Sequence, residues 1–343
     1  MGIRDFAAAA ALIVLVAPQA HASPTLEGVK ARGALNCGIN PGRVGFAFNN
    51  TPDDETAWQG FDIAICRALA AAVLNDAAAV NYVPLNGEER FDALSGGKVD
   101  LLSRNTTWTL SRDAGLDFTF NAITYYDGQG FMVPKSLGVS SVLELDGATV
   151  CVQNGTTTAL NLEDYFRTKR MSFTAVPVST DTGAKERYLA EDCVAYTTEV
   201  SGLAALRAAF PYPSDHIILP EVIAKEPLGP LVRHGDEEWA DIVTWLVHAL
   251  IVAEEKGITQ DNVDEMAQDD LKDLETARLL GVEGGFGALL GLEDDWAVRA
   301  IGAVGNYGEI FERHLGQDSE IGLGRGLNAL YTDGGILYAP PFR

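Results

Sequence analysis

The spacing of apolar positions along the chain alternates between two periods. Residues 34–39 read as a strand, and residues 61–74 place apolar side chains at helical spacing with no internal Gly or Pro. Residues 80–84 read as a strand, residues 88–96 as a short helix stopped by Gly96-Gly97, and residues 99–102 as a strand again. Strand, helix, strand, helix, strand in succession predicts a parallel, doubly wound sheet.

The same rhythm starts a second time near Thr149. Residues 149–153 read as a strand, Asn154-Gly-Thr-Thr-Thr158 leads into a helix over 159–167, and residues 173–178 are a strand. A helix over 183–190, a strand over 194–197 and a further helix follow. The fold class is therefore α/β, with two units of similar layout. Such units take ligands at the carboxyl ends of their strands. Both hydroxyl-rich segments, residues 105–109 and 154–158, fall at such ends, and two facing sites make a cleft. Farther on, an amphipathic helix is predicted over 237–256, with Gly257 as its stop. Residues 258–343 carry helical segments and a Gly-rich end whose arrangement the pattern does not specify. Gly322-Leu-Gly-Arg-Gly326 reads as a turn, because it neither fits a dinucleotide loop nor follows a good strand.

The N-terminus changes the picture of where this chain works. Arg4 precedes the apolar run 6–16, and Ala20-His21-Ala22 is a small-x-small cleavage site, although Asp5 weakens the basic start. Residues 1–22 are therefore expected to be a cleaved secretory signal, outside the fold. No later stretch offers about 18 uninterrupted apolar residues, so the mature chain is expected to be soluble. The remaining length of about 320 residues exceeds one ordinary small core, and two lobes are expected. A net charge of −23 argues against nucleic acid and anionic membrane surfaces as partners. The acidic runs Asp53-Asp54-Glu55 and Asp236-Glu237-Glu238 read as solvated faces. Cys37, Cys66, Cys151 and Cys193 are an even number in an exported chain, which favours two disulfides. Three connectivities are possible; pairing within each region, Cys37 with Cys66 and Cys151 with Cys193, is the economical one. No CxxC or HxxxH spacing supports a metal site, and no metal or cofactor is expected.

Candidate chemistry concentrates in Arg104-Asn-Thr-Thr-Trp-Thr-Leu-Ser-Arg112. The Arg112 guanidinium can grip two oxygens at once, and Thr hydroxyls with backbone N–H groups can complete the shell of a small carboxylate. The plainer alternative is a strand followed by a helix with Ser111 as its N-cap. Enzyme signatures are missing: there is no Walker loop, nucleophile elbow or H-E-x-x-H, and the histidines have no partners at useful spacing. No catalytic residue is assigned. Glu199, just past the strand at 194–197, is placed to meet a ligand ammonium or simply to start a helix. Phe46, Phe48, Trp58, Phe91 and Trp108 lie near the expected cleft, with core packing the default for Phe91.

Several stretches resemble one family. They are Trp58-Gln-Gly-Phe-Asp62, Val99-Asp-Leu-Leu-Ser-Arg-Asn-Thr-Thr-Trp-Thr109, Thr124-Tyr-Tyr-Asp-Gly-Gln-Gly-Phe-Met-Val133, Val150-Cys-Val-Gln-Asn-Gly-Thr-Thr-Thr158, Leu219-Pro-Glu-Val-Ile-Ala-Lys-Glu-Pro-Leu-Gly-Pro230 and Tyr338-Ala-Pro-Pro-Phe-Arg343. Across essentially the whole mature chain the sequence resembles the periplasmic amino-acid-binding components of ABC transporters (bacterial extracellular solute-binding proteins, family 3), closest to the general L-amino-acid binding proteins. The resemblance implies a two-lobed, type II periplasmic binding protein fold. Lobe one is then 23–130 plus 222–343, lobe two is 131–221, and the chain crosses near 130–134 and 218–222.

The resemblance also implies roles. Arg112 clamps the ligand α-carboxylate, assisted by Thr107 and by the N–H groups of Gly155, Thr156 and Thr157. The backbone carbonyl of Asn105 and the carboxylate of Glu199 receive the α-ammonium. Phe91 and, more loosely, Phe46 line the side-chain pocket, while Arg104 braces the loop or the far side of the pocket. Two departures stand out: the family usually has Asp where this chain has Glu199, and Asp where it has Val194. The implied function is capture of L-amino acids, polar and charged ones included, and delivery to permease subunits in the inner membrane. The implied protein is a periplasmic monomer without a cofactor, not an enzyme. A ligand-binding sensor and a cyclohexadienyl dehydratase-like enzyme are the alternatives on the same scaffold.

Overall fold

Ser23 caps the first helix: its hydroxyl accepts from the Leu26 N–H and donates to Asp236 at 3.0 Å. The computed structural model describes residues 23–51, 53–54, 56–268 and 273–343, so the predicted signal segment and Glu55 lie outside the described residues. After α1 (Pro24–Arg32) come β1 (Leu35–Ile39), α2 (Phe61–Leu74), β2 (Val80–Pro84) and α3 (Arg90–Ser95). These match the first predicted rhythm. β3 (Leu101–Thr107) is longer than its apolar run, and all seven residues are buried. Its polar half stays inside because Ser103, Asn105, Thr106 and Thr107 bond to neighbours there and Arg104 donates through Nε, which a hydrophobicity pattern cannot register. The next helix, α4 (Leu110–Asp113), is a single turn. Thr109 caps it through the Arg112 N–H, and Ser111 lies within the turn rather than at the cap.

β4 (Phe118–Phe120) and β5 (Tyr125–Pro134) follow, and then the second rhythm: β6 (Ala148–Gln153), α5 (Thr157–Lys169), β7 (Phe173–Val178), α6 (Asp181–Leu189), β8 (Ala195–Glu199), α7 (Val200–Ala208) and β9 (His216–Ile218). α5 starts two residues earlier than its apolar pattern, because the Thr156 hydroxyl accepts from the Ala159 N–H and caps it. Glu199 ends β8 rather than lying beyond it. β10 (Ala224–Arg233) and α8 (Glu237–Glu255) complete the part that the pattern describes.

The strands form one ten-stranded sheet with the order β2-β1-β3-β10-β5-β8-β6-β7, to which β4 adds beside β10 and β9 beside β5. β1 runs parallel to β2 and β3, and β6 runs parallel to β7 and β8. Between these two parallel sets lie the antiparallel neighbours β5 and β10, paired from Ala224 opposite Gln129 to Leu228 opposite Tyr125. The first half of β5 and the second half of β10 belong to the β1 flank. The second half of β5 continues into the β6 flank, pairing with β8 and β9. Cys37 is bonded to Cys66 in one flank and Cys151 to Cys193 in the other, the pairing that is economical by position.

Each flank has its own apolar core. The larger core, in the β1 flank, absorbs the C-terminal region. α9 (Val263–Met266), α10 (Leu274–Leu279), α11 (Trp296–Val304) and α12 (Tyr307–His314) follow α8, and Trp296, Ile301, Tyr307 and Phe311 are buried among residues of α2 and α8. The last apolar residue, Phe342, packs on Trp245 and Trp296. Asp236 departs from the reading of its acidic run as solvated. It is buried, accepts from Ser23 and Thr25, and caps α8 through the Trp239 N–H at 3.2 Å.

The Cys151–Cys193 bond closes a loop of 42 residues in the smaller flank. Replacing both cysteines with alanine is expected to lower stability by about 2–4 kcal/mol, read as an earlier midpoint in urea unfolding. An unshifted midpoint would show that the bond carries none of the stability of this flank.

Candidate functional site

The carboxyl end of β3 is held in an unusual backbone state. Asn105 has φ +36°, a region that costs a non-glycine residue energy. Its N–H donates to the Asp62 carboxylate at 2.7 Å, which fixes the turn against the start of α2. Burial pushes the Asp62 carboxyl up to about 7, against the pull of the Asn105 N–H and of Arg43 and Arg104. Two residues on, the Thr107 carbonyl accepts from Nη1 of Arg112 at 2.8 Å.

Three guanidinium groups gather beside this turn. Arg112 lies 5.2 Å and Arg90 4.7 Å from the centre of the Phe91 ring, which itself stacks on Phe118. Arg104 donates through Nε to the Leu85 carbonyl at 2.9 Å. All three are buried, yet Nε of Arg90 and Nη2 of Arg104 have no hydrogen-bond partner among the described residues. No carboxylate among the described residues forms a direct ion pair with any of the three. Burial pulls Arg104 and Arg112 down to about 10 and Arg90 well below its usual value; neighbouring arginines add to the fall for Arg90 and Arg104. A guanidinium does not give up its proton in practice. The shifts therefore measure unbalanced buried positive charge.

The β6 flank meets this cluster closely. Gly155 has φ +68°, and a Cβ added there would lie 2.9 Å from the Gly87 carbonyl oxygen. The Gly155 carbonyl accepts from Nη2 of Arg90 at 3.2 Å. Oγ of Thr157 lies 3.3 Å from Oγ of Thr107. Both hydroxyls donate to the carboxylate of Glu226 on β10, Thr157 at 2.8 Å, and Asn161 donates to its other oxygen at 2.7 Å. Burial, then the charge of Glu199, hold the Glu226 carboxyl above its usual range against the Thr hydroxyls and Arg112.

Glu199 is ion-paired rather than free. Its Oε2 accepts from Nη1 of Arg43 at 2.8 Å and from the Thr198 hydroxyl at 2.5 Å. Arg43 also reaches Asp181 at 2.9 Å, and Asn40 reaches Asp181 at 3.3 Å. The loop after β1 is thus tied to the ends of β8 and α6. Burial disfavours each of these charges, but Arg43 outweighs it and holds Asp181 and Glu199 below the usual carboxylate range, while they hold Arg43 well above its own. Oε1 of Glu199 receives no hydrogen bond from the described residues' side chains.

The structure therefore brings Arg112, Thr107, Asn105, Gly155, Thr156, Thr157, Glu199 and Phe91 to one place. Phe46 does not join them: its ring is buried in the core against Phe61 and Tyr125, 6.2 and 5.6 Å between centres. Phe48 and Trp58 line a separate cavity of about 540 Å³ with Tyr82 and Thr182, and Trp108 stacks on Phe120. Arg43, Arg90, Asp181 and Glu226 escape sequence reasoning. Each sits outside the hydroxyl-rich segments, and nothing in its local pattern separates it from a surface charge.

The match to the model of the bacterial extracellular solute-binding proteins, family 3, spans residues 35–259. The glutamate/glutamine/aspartate/asparagine-binding protein BztA of Rhodobacter capsulatus is 56% identical over 98% of both chains. The general L-amino acid-binding periplasmic protein AapJ of Rhizobium johnstonii is 52% identical, again over 98% of each. A solved periplasmic binding protein of an ABC transporter from Brucella ovis, with glutathione bound, superposes with a TM-score of 0.89 at 50% identity, covering 94% of this chain and 100% of that one. The sheet described above is the fold of these two-lobed binding proteins, and the chain belongs to the bacterial extracellular solute-binding proteins, family 3.

Proposed function

We propose that this protein is the extracytoplasmic substrate-binding component of an ABC importer for L-amino acids, with polar and acidic side chains favoured. The observation that carries this reading is the group Arg90, Arg104 and Arg112, buried together with two of them over Phe91 and no ion-pairing carboxylate among the described residues. Such a group is costly unless an anion completes it. An amino acid supplies one carboxylate to Arg112 and the N–H groups of Gly155, Thr156 and Thr157. Its ammonium finds Oε1 of Glu199 and the Asn105 carbonyl, and its side chain points at Arg90 and Arg104. A side-chain carboxylate or carbonyl oxygen offsets those two charges, which a hydrocarbon side chain cannot do. The ligands named for the relatives, glutamate and its amide among them and glutathione with its γ-glutamyl group, share that layout.

The lobes follow the sheet. Residues 23–130 with 222–343 form one, residues 131–221 the other, and β5 with β10 make the two crossings. Ligand contacts from both sides select the closed form, which permease subunits recognise while a separate subunit hydrolyses ATP. The protein acts as a monomer in the periplasm after cleavage behind Ala22. The dehydratase reading would use Glu199 as a carboxyl that exchanges protons with the substrate. Glu199, the residue considered for that task, is instead held ionised by Arg43.

Isothermal titration with glutamate, aspartate, glutamine, asparagine, leucine, lysine and glutathione tests the reading. Glutamate and glutamine are expected to bind and leucine to bind more weakly; silence from the whole panel would sink the proposal. Arg112→Ala is expected to weaken every ligand by at least about 30-fold, as loss of a buried charge contact does. Arg90→Gln is expected to weaken glutamate relative to glutamine by about 10- to 100-fold. An equal loss for both would place Arg90 away from the side chain.

A further inference from the structure

Glu226 takes the hydroxyl proton of Thr107, the residue expected to assist Arg112 on the ligand carboxylate. It is fully buried on β10, one of the two strands that join the flanks. Its carboxylate takes the hydroxyl protons of Thr107 and Thr157 and an amide proton of Asn161. A hydroxyl has one proton to give. While Glu226 is ionised, neither threonine has a proton left for a ligand carboxylate.

The charged and titratable groups around Glu226 come from every side. Arg112 of α4 attracts it and Glu199 of β8 repels it. Asp127 of β5 stands opposite it in register, with its own carboxyl bound by Ser201 of α7. Lys225 precedes it on β10 and is exposed. A second carboxylate placed on Arg112 adds a like charge to an enclosed group that already has Glu199 for a neighbour. Such a pair does not stay doubly ionised readily.

We infer that Glu226 is a built-in competitor of the ligand carboxylate, and that docking of an amino acid on Arg112 turns Glu226 into its neutral acid with a proton taken from solvent. The neutral acid needs only part of the former donor set, and Thr107 or Thr157 turns its proton to the ligand. This inference rests on the proposed amino-acid site. It adds that capture is proton-linked and that one residue carries the link. Burial and Glu199 already hold the Glu226 carboxyl above its usual range, so the protonated form is within reach.

The sign follows directly. The form of the free protein with neutral Glu226 binds best, and binding raises the Glu226 pKa further. Below the free-state value Glu226 is already protonated, so affinity is highest and no proton is taken up. As pH rises through that value, uptake appears and affinity falls by up to about tenfold per pH unit, levelling off above the bound-state value.

The test is calorimetric titration of the full mature protein with L-glutamine, whose side chain does not titrate, in buffers of different ionisation heat between about pH 5 and pH 8. The wild type is expected to show heats that track the buffer, corresponding to net uptake, and an affinity that falls with pH. Glu226→Gln is expected to bind without uptake and with a flat pH profile. Glu226→Asp, which keeps a titratable group, is expected to retain uptake. Asp127, a nearby carboxyl held up to about 7, is checked with Asp127→Asn, which is expected to keep the wild-type uptake. Buffer-independent heats in the wild type, or uptake that persists in Glu226→Gln, would overturn the inference while leaving the amino-acid site intact. Equal weakening in both Glu226 variants with the wild-type pH slope would also overturn it, since a purely structural role predicts that result. Failure of the wild type to bind glutamine or any other amino acid would instead remove the functional reading itself.

Discussion

Arg43 is a buried guanidinium that leaves the loop after β1 and reaches Asp181 and Glu199 in the opposite flank. Three charges have been withdrawn from water here, at a cost of several kcal/mol per ion even after relaxation. Their mutual attraction, with the Thr198 and Asn40 hydrogen bonds, offsets much of that cost only while the flanks stay in register. Everything else at the site depends on that registration. The Gly87 and Gly155 loops touch at a distance a side chain would block, the Thr107 and Thr157 hydroxyls meet, and Glu226 joins both. Removing one member would leave a buried charge without a partner, so the triad fixes geometry more than it adds stability.

Around that frame the charge is deliberately uneven. Arg43 is balanced, whereas Arg90, Arg104 and Arg112 crowd together, and Glu226 and Glu199 attract Arg112 without forming an ion pair with it. Phe91 gives two of them a face to rest on, which supports a cation without neutralising it. The cluster therefore carries an excess of buried positive charge. The same excess explains why a carboxylate from the protein itself, Glu226, is drawn into the corner.

The C-terminal region completes the core of the β1 flank. It lies beyond the span of the family match, yet α11 and α12 bury their apolar faces on α2 and α8. Tyr307 donates to the Thr124 carbonyl at 2.8 Å, and Asn328 bonds both the N–H and the carbonyl of Tyr126. These bonds brace the start of β5, so the extension steadies the crossing strand as well as the core.

The sequence by itself determined the elements whose cause is local. The α2 helix, the β2 strand, the second βαβ rhythm and the Arg112–Thr107 and Gly155–Thr157 segments follow from periodicity, glycine stops and hydroxyl-rich strand ends, and the family resemblance supplied their roles. Where polar residues continue a strand, as from Ser103 to Thr107, periodicity ended too early because burial there depends on partners from elsewhere in the chain. Phe46 looked like a cleft aromatic and proved to be core, since only packing decides which side of a loop faces inward. Arg43 and its partners lie 138 and 156 positions apart. No local pattern encodes such a pairing. Only the tertiary structure, by bringing the strand ends of both flanks to one point, decided that Glu199 is held by Arg43, that Glu226 bonds Thr107 and Thr157, and that three neighbouring arginines have no ion-pairing carboxylate among the described residues.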